Sequence, residues 1–135
     1  MAAVRADLGR GRLAAEIVAA YLRAWRELRR APIDAVVERL RAEGPAVPIE
    51  DSAARQEALR LGRALVRTLA LMPGDTRCLR RSLVLMQLLA KRGISARLVI
   101  GTRTDPDFLA HAWIEHEGRP VLSPGDGSFG RLVEL

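Results

Sequence analysis

The stretch LVLMQLLA, Leu83 to Ala90, constrains the fold of this chain more than any other segment. It is apolar on nearly every side of a helix, and such a helix cannot lie on a surface. It belongs at the centre of a core, with other elements packed all round it. The spacing predicts that Gly93 ends it and that Asp75 or Thr76 caps a start just before Cys78. The rest of the chain has to supply the wrapping.

The region before Pro73-Gly74 supplies helices. In AEIVAAYLRAWRELRR, Ile17, Tyr21, Leu22, Trp25 and Leu28 recur at helical spacing, with Arg and Glu opposite. In APIDAVVERLRAEG the stripe is Ile33, Val36, Val37 and Leu40, with Pro32 suited to the first turn and Gly44 to the end. GPAVPIED reads as a connector. A third helix opens at Asp51 or Ser52, buries Leu61, Leu65 and Leu69, and stops at Pro73-Gly74.

Strands follow the central helix. ARLVIGT places Leu98 and Ile100 on one face and Val99 on the other. FLAHAWIEHEG alternates Leu109, His111, Trp113 and Glu115 against Ala110, Ala112 and Ile114. Glu117-Gly118 make a tight turn, RPVLS returns as a third strand, PGDGSFG is a loop and RLVEL adds a short edge strand. The prediction is an α+β fold: residues 1–72 form a helical N-terminal region packed on a core of residues 73–135, in which a buried Cys-bearing helix lies on a small antiparallel sheet.

A chain of 135 residues suits one compact domain. A single cysteine excludes an internal disulfide and any multi-cysteine metal site, and makes the reducing cytoplasm the default location. The N-terminal stretch is too interrupted by charge for a signal peptide, and no apolar run is long enough to span a bilayer. The net charge of +6 raises the question of nucleic acid. The arginines are spread along amphipathic helices, however, without interleaved aromatics on which bases would stack, and neither nucleic acid nor a membrane is expected as a partner. There is no phosphate loop, no HExxH motif and no carboxylate cluster, so neither cofactor nor metal is expected.

The chemistry centres on Cys78. A lone thiol is either core filler or a nucleophile. In the first turn of a helix, unpaired N–H groups and the positive end of the dipole favour a thiolate and can bind an oxyanion beside it. Arg77, Arg80 and Arg81 add positive potential. His111, mid-strand between two alanines that let the strand lie close to the helix layer, can serve as general base. His116 falls on the opposite face, before a turn, and is expected in solvent; the opposed faces also argue against a metal shared by the two histidines and Cys78. For a group that accepts the other imidazole N–H, the first carboxylate after the return strand is Asp126. Glu115 lies two pleats from His111, Asp105 and Asp107 sit in the preceding loop, and Ser123 is a weaker candidate.

A cysteine opening a buried helix, followed by a histidine and an acid on antiparallel strands, resembles the transglutaminase-like and papain-like cores. Two segments narrow the resemblance, CLRRSLVLMQLLAKRGISARLVIGT and FLAHAWIEHEGRPVL. The elements Cys78 to Leu83, Arg92 to Ile94, Ile100 to Arg103 and His111 to Glu115, with Gly118, Pro120 and Val121, are similar to those of the leader peptidases of lasso-peptide biosynthesis, the family that includes the microcin-processing protease. The resemblance covers Pro73 to about Leu122. It implies a cysteine protease that cuts the leader from a ribosomally made precursor, after which a separate cyclase closes the macrolactam. Cys78 would be nucleophile, His111 base and then acid, and an acid the orienting group. The family commonly places that acid directly after the return strand, where this chain has Ser123, with Asp126 three residues on. Either Asp126 fills the role through a shifted loop, or Ser123 and water do. Some members carry a fused leader-recognition domain. Residues 1–72 show only helical periodicity, so the resemblance implies a stand-alone protease that works with the precursor leader, a separate leader-recognition protein and, as a further partner, the cyclase. Two other readings stand beside this one: acyl transfer or deamidation at the same Cys-His pair, and a non-catalytic basic helical binding module.

Overall fold

A computed structural model describes residues 2–42, 44, 51–71 and 78–135. Its elements are α1 (Ala2–Leu28), α2 (Ile33–Arg41), α3 (Asp51–Ala70), α4 (Cys78–Lys91), β1 (Arg97–Arg103), β2 (Leu109–His116), β3 (Arg119–Pro120) and β4 (Gly130–Glu134). The architecture is the expected α+β one, helices packed on a small antiparallel sheet. The expected stop at Pro73-Gly74, the caps Asp75 and Thr76, Arg77 and most of the connector between α2 and α3 lie outside the described residues.

The central helix behaves as its composition demands. Every residue of α4 from Ser82 to Leu89 is buried. Helices α1, α2 and α3 pack on it, and β2 and β1 cover the remaining side. One hydrophobic cluster runs through all of these elements. The helix closes with two paired bonds, Gly93 N–H to the Ala90 carbonyl (3.1 Å) and Ile94 N–H to the Leu89 carbonyl (2.9 Å). Gly93 takes the left-handed conformation, φ 72°, that this closure requires. Gln87 is the polar exception within the apolar run. Its amide donates to the Ala20 carbonyl of α1 at 2.9 Å, which satisfies a buried polar group and ties the two helices together.

The buried stripe of α1 differs from the one read from large apolar residues. Ile17, Ala20, Tyr21 and Ala24 are buried, whereas Leu22 is 51% and Trp25 39% exposed. The small residues Ala20 and Ala24 let α1 lie close enough for its carbonyl to meet Gln87, and Trp25 is covered instead by the Arg29 guanidinium, 4.6 Å from its ring centre. The stripe of α2 buries Val36, Val37 and Leu40, and that of α3 buries Leu61, Leu65 and Leu69, as their spacing predicts.

The sheet order is β3-β2-β1-β4. β1 and β2 pair along their whole length, with Gly101 opposite His111 and Val99 opposite Trp113. β4 pairs with the other edge of β1, and its register shifts between Ile100 and Gly101. The return strand is shorter than RPVLS suggests. Only Arg119 and Pro120 pair with β2 as a strand; Val121 still donates to the Ile114 carbonyl, and Val121 and Leu122 then turn onto the core, beside Gly62 of α3. Most of that edge of β2 is therefore open. His116 corrects a second expectation: it is 5% exposed, because it falls on the same side of β2 as Ala112 and Ile114. Its Nδ1–H donates to the Ser95 carbonyl at 2.8 Å, which a carbonyl can only accept.

Charge locks the helices outside the apolar core. Arg92, just after α4, binds Glu16 of α1 (2.9 Å) and Glu57 of α3 (3.4 Å). Hydrogen bonds from Arg92 hold the Glu16 carboxyl below its ordinary value of 4.5, and those from Arg60 do the same for Glu57. Both folded-state values are depressed, so this contribution is complete above the ordinary carboxylate range and is lost as pH falls through it. Glu16→Gln should therefore lower the urea midpoint at pH 7, and its difference from the parent chain should shrink as the pH falls through the depressed folded-state value of Glu16. Leu85→Ala should destabilise by about 2–5 kcal/mol in urea denaturation, against no more than about 0.5 kcal/mol for Leu22→Ala.

Candidate active site

Cys78 is the first residue of α4, so the burial of that helix fixes where the thiol sits. Because β3 pairs only with Glu115 and His116, the main-chain groups of Ala112 and Ile114 on that edge need other partners. The Ile114 carbonyl accepts from Val121 N–H at 2.8 Å. The Ala112 N–H donates to the Cys78 sulfur at 3.3 Å. The thiol is thus seated on the open edge of β2, one peptide from His111. The residue is only partly buried.

His111 projects on the face of the sheet turned away from α4. Its Nε2 is 2.8 Å from the Ser123 carbonyl oxygen. That oxygen can only accept, so Nε2 carries the hydrogen and Nδ1 holds the free lone pair of the neutral ring. No hydrogen bond joins the sulfur to the ring in this structure; the shared neighbour is the Ala112 peptide. Two aromatic rings fix the imidazole plane, Trp113 with centres 5.8 Å apart and Phe129 at 5.3 Å.

Asp126 stands elsewhere. Its carboxylate accepts from the Ser128 hydroxyl and from the Ser128 N–H (2.9 Å), and Arg103 lies at 3.4 Å. The Ser128 bonds, chiefly, and then Arg103 hold it below the usual carboxylate range. The group that meets the imidazole is the main chain of Ser123, whose hydroxyl accepts from Gly125 N–H at 3.2 Å and folds the loop. Asp105 and Asp107 are exposed in the loop before β2. Among the described residues, no group of three or more His, Cys, Asp or Glu side chains is placed to hold a metal ion.

Three residues without an assigned role complete the surroundings of His111. Trp113 donates its indole N–H to Glu115 at 2.8 Å, and Arg131 of β4 binds both carboxylate oxygens of Glu115, at 2.9 and 2.7 Å. Alternation alone puts Trp113 and Glu115 on the face of His111, but nothing in the sequence pairs Arg131 with them until β4 docks on β1. A cleft of about 550 Å³, lined by Arg97, His116, Arg131 and Glu134, lies at the other end of β2; it includes neither Cys78 nor His111.

A thiol at a helix N-terminus, with a histidine on the adjoining sheet, is the pairing of residue types that cysteine nucleophiles use. The family is reached independently: the model of the transglutaminase-like superfamily matches residues 12–134. The chain belongs to that superfamily, whose members are in general cysteine-based proteases or acyltransferases. Comparison with curated proteins returned no match, and comparison with solved structures returned none either. No helix among the described residues is long and apolar enough to cross a membrane.

Gly101, opposite His111, is a point of close approach in the site. A Cβ there would come within 2.9 Å of the Trp113 ring and 3.0 Å of Phe129 Cβ. Gly101→Ala should cost about 1–3 kcal/mol in urea denaturation through the displacement of those rings.

Proposed function

We propose that the chain is a cysteine endopeptidase that removes the leader from a ribosomally made lasso-peptide precursor. The observation that carries the reading is the seating of Cys78 on the Ala112 amide, beside a histidine whose Nε2–H is already committed to the Ser123 carbonyl. The leader specificity is supported by the motifs Cys78 to Leu83 and His111 to Glu115.

In this reading the Cys78 proton passes to Nδ1 of His111, and the thiolate attacks the carbonyl at the leader–core junction. Backbone N–H groups of the first turn of α4 receive the oxyanion. The imidazolium returns its proton to the leaving amine of the core peptide, and a thioester joins the leader to Cys78. Water, deprotonated by His111, then releases the leader carboxylate. Ser123 holds the imidazole through its carbonyl, while Asp126 shapes the loop that presents that carbonyl. The partners are the precursor leader and a separate leader-recognition protein, with the cyclase acting on the freed amine. A reducing cytoplasm suits a free thiol nucleophile.

Incubation of the purified chain with a precursor and a leader-recognition protein, followed by mass spectrometry, tests the reading. Hydrolysis gives two peptides whose masses sum to the precursor plus one water; deamidation leaves the chain intact. Cys78→Ala and His111→Ala should each lower the cleavage rate by about a thousand-fold or more with unfolding midpoints little changed. Ser123→Ala, which keeps the carbonyl, should stay within about tenfold of the parent rate, and Asp126→Ala should fall between the two groups. A full-rate Cys78→Ala chain would overturn the proposal.

A further inference from the structure

Behind His111, three side chains are linked in a row that the hydrolytic cycle does not itself require. Glu115 and Trp113 are 5% and 3% exposed, and an ionised carboxylate at that depth is costly unless it is fully paired. Here it is paired twice. Arg131, on the edge strand β4, binds both of its oxygens, and the Trp113 indole N–H occupies Oε2 as well. The other side of the indole assembly is the catalytic ring: Trp113 stacks on His111 at an interplanar angle of 26°. An apolar residue at position 115 would fill the same volume without burying a charge.

The arrangement has an electrostatic consequence. An aromatic face attracts a cation through its negative quadrupole. An indole whose N–H points at an anion has that face enriched further. His111 becomes a cation when it takes the thiol proton, with Nε2–H still donating to Ser123. We propose that Glu115, clamped by Arg131, is a positioning residue that acts through Trp113: it holds the indole against the imidazole and favours the imidazolium partner of the Cys78 thiolate. This rests on the Cys78–His111 reading above.

The charged and titratable groups that meet this stack come from several elements. They are Cys78 of α4 on the Ala112 amide, Arg97 of β1 opposite Glu115, Arg103 of β1 over the Phe129 ring, Asp126 of the loop on Arg103, and Arg131 and Glu134 of β4. Arg103 opposes a cation at His111 and Asp126 screens it. The net preference therefore depends on the Trp113–Glu115 side, which no other carboxylate among the described residues duplicates.

Cys78 is the only thiol, so its alkylation by iodoacetate reports the site without a peptide substrate. The anionic reagent reacts fastest while thiolate and imidazolium coexist, and its rate falls on the alkaline side as the imidazolium loses its proton. Glu115→Gln keeps an acceptor for the indole but removes the charge. It should move that alkaline fall to lower pH by roughly half a unit, the size of one cation–π contact. Trp113→Phe should move it at least as far, and Glu115→Asp should restore part of the parent profile. Circular dichroism in the aromatic region monitors folding of each variant. A profile identical to the parent in folded Glu115→Gln and Trp113→Phe would overturn the positioning role. If His111→Ala also leaves the profile unchanged, the failure lies in the Cys78–His111 pairing itself. If His111→Ala abolishes the alkaline fall while the other two do not shift it, only the role of Glu115 is lost.

Discussion

The 3.3 Å contact between the Ala112 amide and the Cys78 sulfur is where the two halves of the molecule meet. It exists because two separate constraints coincide. A helix with no polar face has to be surrounded, and α1, α2, α3 and the sheet leave α4 one position. A return strand only two residues long leaves the neighbouring edge of β2 without a partner strand. The helix start fills that edge, and the thiol takes the amide that a longer β3 would have occupied. Lengthening β3 would restore the ladder and remove the seat of the sulfur.

The opposite face of β2 carries His111, the proposed base. Gly101 clears the space that the Trp113 and Phe129 rings need, and those rings hold His111. The register shift of β4 brings Arg131 opposite Gly101, from where it reaches Glu115. The superfamily match over residues 12–134 includes both faces and the helices that wrap α4.

Much of this was legible from residue pattern. The central helix followed from Leu83 to Ala90 alone, because burial on every side leaves no room for surface residues. The strand positions of Leu98 and His111 followed from alternation. Large apolar residues misled at Leu22 and Trp25, since close helix packing prefers alanine and an aromatic ring can be shielded by an arginine at the surface. A position before a turn and opposite His111 predicts solvent for His116, yet its face of the strand is the core face. The partner of the imidazole was not legible as a side chain at all. It is a main-chain carbonyl, and no residue identity announces one. Asp126 had the right chemistry and the right neighbourhood, but Ser128 lies two residues away and takes the carboxylate in a local turn. Arg131 and Phe129 depend on which edge β4 joins, a non-local fact.

The central claim is that Cys78 becomes covalently acylated during turnover. Rapid mixing of the chain with a precursor and leader-recognition protein, acid quenching and intact-protein mass spectrometry test it directly. The account predicts an adduct equal to the leader fragment less one water, mapped to Cys78 and absent from His111→Ala. Turnover with no adduct at any quench time, or an adduct on another residue, would contradict it.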